Sequence, residues 1–202
     1  MTKKVPCNEC GAMILLSTAE RTGGVCMACK QGIRQDIERA KNFYEVQKKY
    51  DPYRELWKSL VHRVYKTDEG FGGLTSDEKV YFSVCVLDGE VYNGGIEQFF
   101  TNSSGALYNE AVSGLRLLEA THTLDLLFRA KKILFGDNDP SENREERWDA
   151  IRKYSEDNSE PPPDWAIALE EVEKAYVEDP DKLGVRLTHF AEEKGLVAPF
   201  MK

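Results

Sequence analysis

Four cysteines near the start of the chain constrain it most. Cys7, Cys10, Cys26 and Cys29 follow the spacing C-x2-C-x15-C-x2-C. Two thiolates separated by two residues reach one metal when the backbone turns in a tight knuckle, and two knuckles close a tetrahedral shell of four sulfurs that suits Zn²⁺. A filled shell makes the site structural rather than catalytic. A redox dithiol or an iron–sulfur site is the alternative use of such thiols. Gly11 and Gly32 follow the pairs where a knuckle needs positive φ. Met13-Ile14-Leu15-Leu16 reads as a strand, Arg21-Thr22-Gly23-Gly24 as a turn, and Val25-Cys26 as the returning strand. A helix is expected directly after Cys29. The expectation is a zinc-ribbon or treble-clef-like module over residues 1–33, with one zinc per chain. About 30 residues bury too little core to fold alone, so metal binding supplies the folding free energy. Cys85 lies in the apolar run Tyr81–Leu87 and reads as an inert core thiol.

Charge divides the chain. The net charge is −8, with 27 Lys+Arg against 35 Asp+Glu. Residues 1–66 hold 13 basic and 7 acidic side chains, and residues 67–202 hold 14 and 28. Acidity of this order argues against nucleic-acid binding by the whole chain. No apolar run approaches the ~18 residues of a membrane span, and no signal peptide is visible. A cytoplasmic location is expected, where paired cysteines hold metal rather than disulfides.

The rest reads as helices. Residues 34–66 form a helical connector, broken at Asp51-Pro52, which suits an N-cap followed by proline in the first turn. Tyr53, Leu56, Trp57, Leu60, Val61, Val64 and Tyr65 mark an amphipathic helix. Thr75 and Glu78 have capping-box spacing. Further helices are expected at 106–120, 123–135 (stopped by Gly136), after Ser141, at 165–177, and after Asp179-Pro180. No alternation of period two appears beyond the cysteine module. The fold class is therefore mainly all-α: an acidic helical domain over 67–202, preceded by a small zinc-bound hairpin.

One segment departs from this pattern. It sets Glu90, Asn93, Gly94, Gly95, Gln98, Phe100, Asn102, Ser103, Ser104 and Gly105 among aromatics. Paired glycines are costly in a helix and imply a stop or a close approach. The polar side chains form either a buried network that fixes a helix junction or a recognition or catalytic pocket. The order Glu-x-x-Asn-Gly-Gly-x-x-Gln-x-Phe-x-Asn-Ser-Ser-Gly, followed by a helix carrying Ala111, Leu115 and Leu118-Glu119-Ala120, resembles the C-terminal domain of the bacterial DNA-mimic proteins. The likeness is good over Leu74–Gly136 and looser to Lys194. It leaves out the cysteine module, so the chain reads as a fusion. The resemblance implies an acidic all-helical domain whose carboxylates imitate DNA phosphates and occupy a DNA-binding protein.

Carboxylates that could form such a face are Glu142, Glu145, Glu146, Asp149, Glu156, Asp157, Glu160, Glu170, Glu171, Glu173, Glu178, Asp179 and Asp181. An acidic rod can satisfy a groove built for duplex DNA and steer its association. The bland alternative is a solubilising surface. The lysines and arginines around the cysteines could touch phosphate, but no base-reading helix is apparent. His62, His122 and His189 lack a nucleophile pattern, and no phosphate loop or dinucleotide glycine motif occurs. The expectation is a non-enzymatic binding protein that engages a basic, DNA-binding partner. An immunity-type protein neutralising a toxin is the first alternative. An enzyme using Glu90, Asn93, Gln98 and Asn102 is the second.

Overall fold

The computed structural model describes residues 3–155 and 163–201. The chain divides into two compact units, Met1–Asp51 and Pro52–Lys202. The stretch 34–66 is shared between them. Its first helix belongs to unit 1, and its second supplies core residues to unit 2.

In unit 1, β1 (Lys4–Pro6) pairs antiparallel with β2 (Met13–Leu15), with Val5 opposite Ile14. The first cysteine knuckle is thus the turn of the hairpin. The expected returning strand at Val25-Cys26 does not form. The intervening residues instead make helix α1 (Leu16–Thr22), closed by Gly23 at φ +70°. Leu-Ser-Thr-Ala-Glu-Arg-Thr carries good helix formers, and the glycine supplies a left-handed stop. Lys4–Pro6 is short and contains proline, so it gives little strand signal, yet proline is tolerated at an edge. Helix α2 (Met27–Lys30) is one turn, and Gly32 at φ +72° separates it from α3 (Arg34–Gln47).

Unit 2 is built around α5 (Ser76–Gly94). The capping box expected at its start is complete: Thr75 Oγ1 accepts the Glu78 N–H, and Glu78 accepts the Thr75 N–H at 2.8 Å. Around it lie α4 (Pro52–Lys66), α6 (Ile96–Thr101), α7 (Tyr108–Leu117), α8 (Thr121–Phe135), α9 (Arg144–Ser155), α10 (Asp164–Val177) and α11 (Leu183–Glu193). Gly114 of α7 lets the helix approach α5 closely, because a Cβ there would meet Val84. Phe82 of α5 stacks on Trp57 at 5.3 Å between ring centroids. Phe100 packs against Phe99, Tyr108 and Phe135. Each such buried ring contributes roughly 2–3 kcal/mol by removal from water. Cys85 packs partly buried against this core, and burial pushes its thiol up to about 12, as expected of an inert cysteine.

The chain is mainly helical, with its small hairpin beside the four cysteines. Among the described residues no helix is long and apolar enough to cross a membrane.

Candidate functional site

The knuckles bring the four sulfurs together. The Sγ atoms of Cys7, Cys10, Cys26 and Cys29 all lie within 4.8 Å of one another. Cys10 and Cys26 Sγ are 3.7 Å apart, close to the ~3.8 Å edge of a tetrahedron with metal–sulfur bonds of about 2.3 Å. Backbone donors surround the sulfurs. The Cys26 N–H donates to Cys7 Sγ at 3.1 Å and the Cys29 N–H to Cys26 Sγ at 3.4 Å. Cys26 also caps α2.

Arg34, at the start of α3, donates through Nη2 to Cys26 Sγ at 3.1 Å. That bond leads the causes that hold Cys26 down to about 6, whereas burial pushes Cys29 up to about 12. Backbone donation from Cys26 lowers Cys7. The two knuckles are tied by the Asn8 N–H donating to Gly24 O at 3.0 Å. Gly24, at φ +84°, leaves the space that the Asn8 side chain fills. Four soft donors at this spacing, with N–H groups and a guanidinium turned toward them, fit a thiophilic metal ion.

In unit 2 the polar motif folds on Glu90. Its Oε2 accepts Gln98 Nε2 at 2.6 Å and Asn102 Nδ2 at 2.9 Å, and its Oε1 accepts Ser104 Oγ at 2.8 Å. Asn93 is exposed and stays outside this set. The paired glycines have separate tasks. A Cβ on Gly94 would run into Gln98 Oε1, and one on Gly95 into Glu173 Oε1. Gly95 also holds φ +84° and ψ 170° between α5 and α6, a region open to glycine. Phe100 is wholly buried, Ser103 is exposed, and Ser104 and Gly105 are buried. A Cβ on Gly105 would meet Phe100 O and Arg147.

Arg147 escaped the sequence reading. It is 1% exposed and has no carboxylate partner among the described residues. Its guanidinium donates to Phe100 O and Asn102 O at 2.7 Å, Ser141 O at 2.6 Å and Glu142 O at 2.9 Å. Burial lowers its pKa. Arg144 Nε and Trp148 Nε1 both reach Thr101 O. Helix α9 therefore satisfies three consecutive carbonyls at the end of α6. Asn143 rather than Ser141 caps α9, accepting the Glu145 N–H at 2.8 Å. The buried face of α9 carries Arg147 and Ile151, while Trp148 stays exposed.

The acidic candidates separate into two kinds. Glu142, Glu145, Glu146, Asp149, Glu170, Glu171 and Glu178 are exposed. Glu173, Asp179 and Asp181 instead bind backbone donors. Glu173 Oε1 accepts the Ile96 N–H at 2.8 Å, and Asp179 Oδ1 the Leu183 N–H at 2.7 Å. Asp181, 6% exposed, accepts the Thr123 N–H at 2.7 Å and Thr123 Oγ1 at 2.9 Å, with His122 Nδ1 at 3.1 Å. Helix N-termini leave N–H groups unpaired and attract carboxylates, so these acids are drawn inward. Glu156, Asp157 and Glu160 lie outside the described residues.

The exposed acids of α9 are interleaved with Arg144 and Arg152, and Asp149 pairs with Arg152 at 2.7 Å. Residues 164–181 are more one-sided, with seven carboxylates against Lys174.

A family model described as DMP19-like protein matches residues 72–194, more than half of the chain. The chain belongs to the DMP19-like protein family. This is the DNA-mimic family that the Asn-Gly-Gly motif resembled. The DMP19-like region contains the Glu90 network, Arg147 and the acidic α10, and leaves out the cysteine unit. Comparison with curated proteins and with solved structures gave no match.

Proposed function

We propose that this protein is a bacterial, cytoplasmic DNA mimic. Its acidic helical surface occupies a basic, DNA-binding protein and keeps that protein from its DNA. The observation that carries this reading is the α10 region of a DMP19-like domain: Glu170, Glu171 and Glu178 stand exposed in a segment whose only described cation is Lys174. Glu171 and Glu178 are seven residues apart, two helical turns or about 10 Å along the axis. A protein groove built for phosphates is attracted to such a run of charge over a Debye length.

The four cysteines would hold one Zn²⁺, in a structural role. When bound, the metal supplies a cross-link that a unit of this size needs in order to fold. Cys7, Cys10, Cys26 and Cys29 would be its ligands, and Arg34 offsets the excess negative charge of four thiolates.

Glu90 supports a structural role for the motif, because both of its oxygens are engaged by Gln98, Asn102 and Ser104. The test is capture of the partner from the source cells, followed by competition with duplex DNA. A partner that releases DNA when this protein is added supports mimicry. A captured nuclease or deaminase toxin whose activity is blocked would replace it with the immunity reading.

A further inference from the structure

A groove runs between α5 and α10. Val91, Gly95 and Val177 line it together with Glu170, Glu173, Lys174 and Glu178, around a volume of about 550 Å³. Its lining mixes chemistry: Val177 is exposed and Val91 only 4% exposed, beside three carboxylates and Lys174. Gly95 carries no side chain, and a Cβ there would meet the Glu173 carboxylate.

Glu173 gives Oε1 to the Ile96 N–H. Its Oε2 has no hydrogen bond among the described residues. Burial and the nearby Glu173 both push Glu97 above the ordinary carboxylate range, so negative charge is in excess here. Lys174 answers Glu170 at 2.6 Å, but both side chains are more than 60% exposed. Such an exposed pair is worth under ~1 kcal/mol and yields readily to a better partner.

The geometry points to this groove as the seat of a single arginine or lysine side chain from the basic protein partner. The aliphatic stem would lie on Val177, with the charged head among Glu170, Glu173 and Glu178. A purely apolar residue would leave the carboxylates unanswered, and a small cation would leave Val177 uncovered. A long cationic side chain matches both, because it buries its methylenes while its head stays polar. Carboxylates favour arginine, whose planar fork gives two parallel bonds to a single carboxylate. The inference rests on the acidic-surface reading and narrows it from a diffuse field to one anchoring pocket.

The probe is a peptide of ten arginines, titrated into the full chain at about 50 mM salt, with affinity read by calorimetry and the site by backbone amide shifts. Shifts should centre on Val91, Gly95 and Val177. Glu170→Gln with Glu178→Gln should weaken binding roughly tenfold, and Val177→Ser severalfold. The control Glu145→Gln with Glu146→Gln removes the same charge from α9 and should cost about twofold or less. All five positions are exposed, so the fold should tolerate the changes. Equal losses in the two double variants would overturn the groove and leave a diffuse acidic surface standing. An unchanged affinity for Val177→Ser would overturn the seat for the stem. Absence of saturable binding by the unaltered protein would contradict the acidic-surface reading itself.

Discussion

Glu173, on α10, accepts the backbone N–H of Ile96, the first residue of α6, at 2.8 Å across 77 residues of sequence. A helix cap is usually local. Here it comes from a distant helix, and Gly95 makes room for it. Gly95→Ala should therefore both force an alanine into φ +84° and expel the cap. The expected cost is about 2–4 kcal/mol. Gly94→Ala should also destabilise, by displacing Gln98 from Glu90. Gly89→Ala, in the exposed middle of α5 with open space at its Cβ, should stabilise by about 0.5–1 kcal/mol. Denaturant midpoints of the three variants check the ordering.

Arg147→Met should be among the most damaging single changes in unit 2. It takes the guanidinium donors from the carbonyls of Phe100, Ser141, Glu142 and Asn102, of which Asn102 O keeps the Gly105 N–H. A loss of about 3–5 kcal/mol is expected, measured by chemical unfolding. Arg144→Met, at an exposed position, should cost under about 1 kcal/mol, because Trp148 also reaches Thr101 O.

The contrast between these two arginines shows what the sequence can carry. The capping box at Thr75 and Glu78, the start at Asp51-Pro52 and the stop at Gly136 use neighbours in the chain, and each is readable from spacing. So is the cysteine cluster, because a metal shell imposes its own intervals. Arg147 lies in Asn-Arg-Glu-Glu-Arg, which looks like a solvated face. Its burial is decided by carbonyls as far as 47 residues away. The same holds for Glu173 and Asp181, which composition places on the surface and long-range capping draws in. The hairpin partner was hidden for a related reason: Lys4–Pro6 has almost no strand propensity and is held by pairing with Met13–Leu15.

Asp181 should make part of the stability depend on acid. Burial alone would raise its pKa, but donation from Thr123 and His122 outweighs this and holds it below the ordinary carboxylate range. A carboxyl depressed by folding contributes stability fully above its unfolded value, near 4, and loses it as pH falls through the folded value. Thermal midpoints should therefore fall below about pH 4. Asp181→Ala should cost about 2–3 kcal/mol at neutral pH and flatten this acid dependence. Asp181→Asn, which keeps one acceptor, should cost less.

Metal removal should act on unit 1. Elemental analysis should give about one zinc per chain, as four thiolates in one shell require. Cys26→Ser should lose it, and a strong chelator should abolish the slow amide exchange of β1, β2 and α1. A folded unit 1 with no metal would contradict the zinc reading.

DNA release from the captured partner tests the acidic surface directly. Partner bound to labelled duplex is titrated with this protein at about 0.1 M salt. The duplex should be released as the protein binds, and release should weaken with raised salt and with Glu170→Gln plus Glu178→Gln. Duplex that stays bound while the protein occupies the same partner would contradict DNA mimicry.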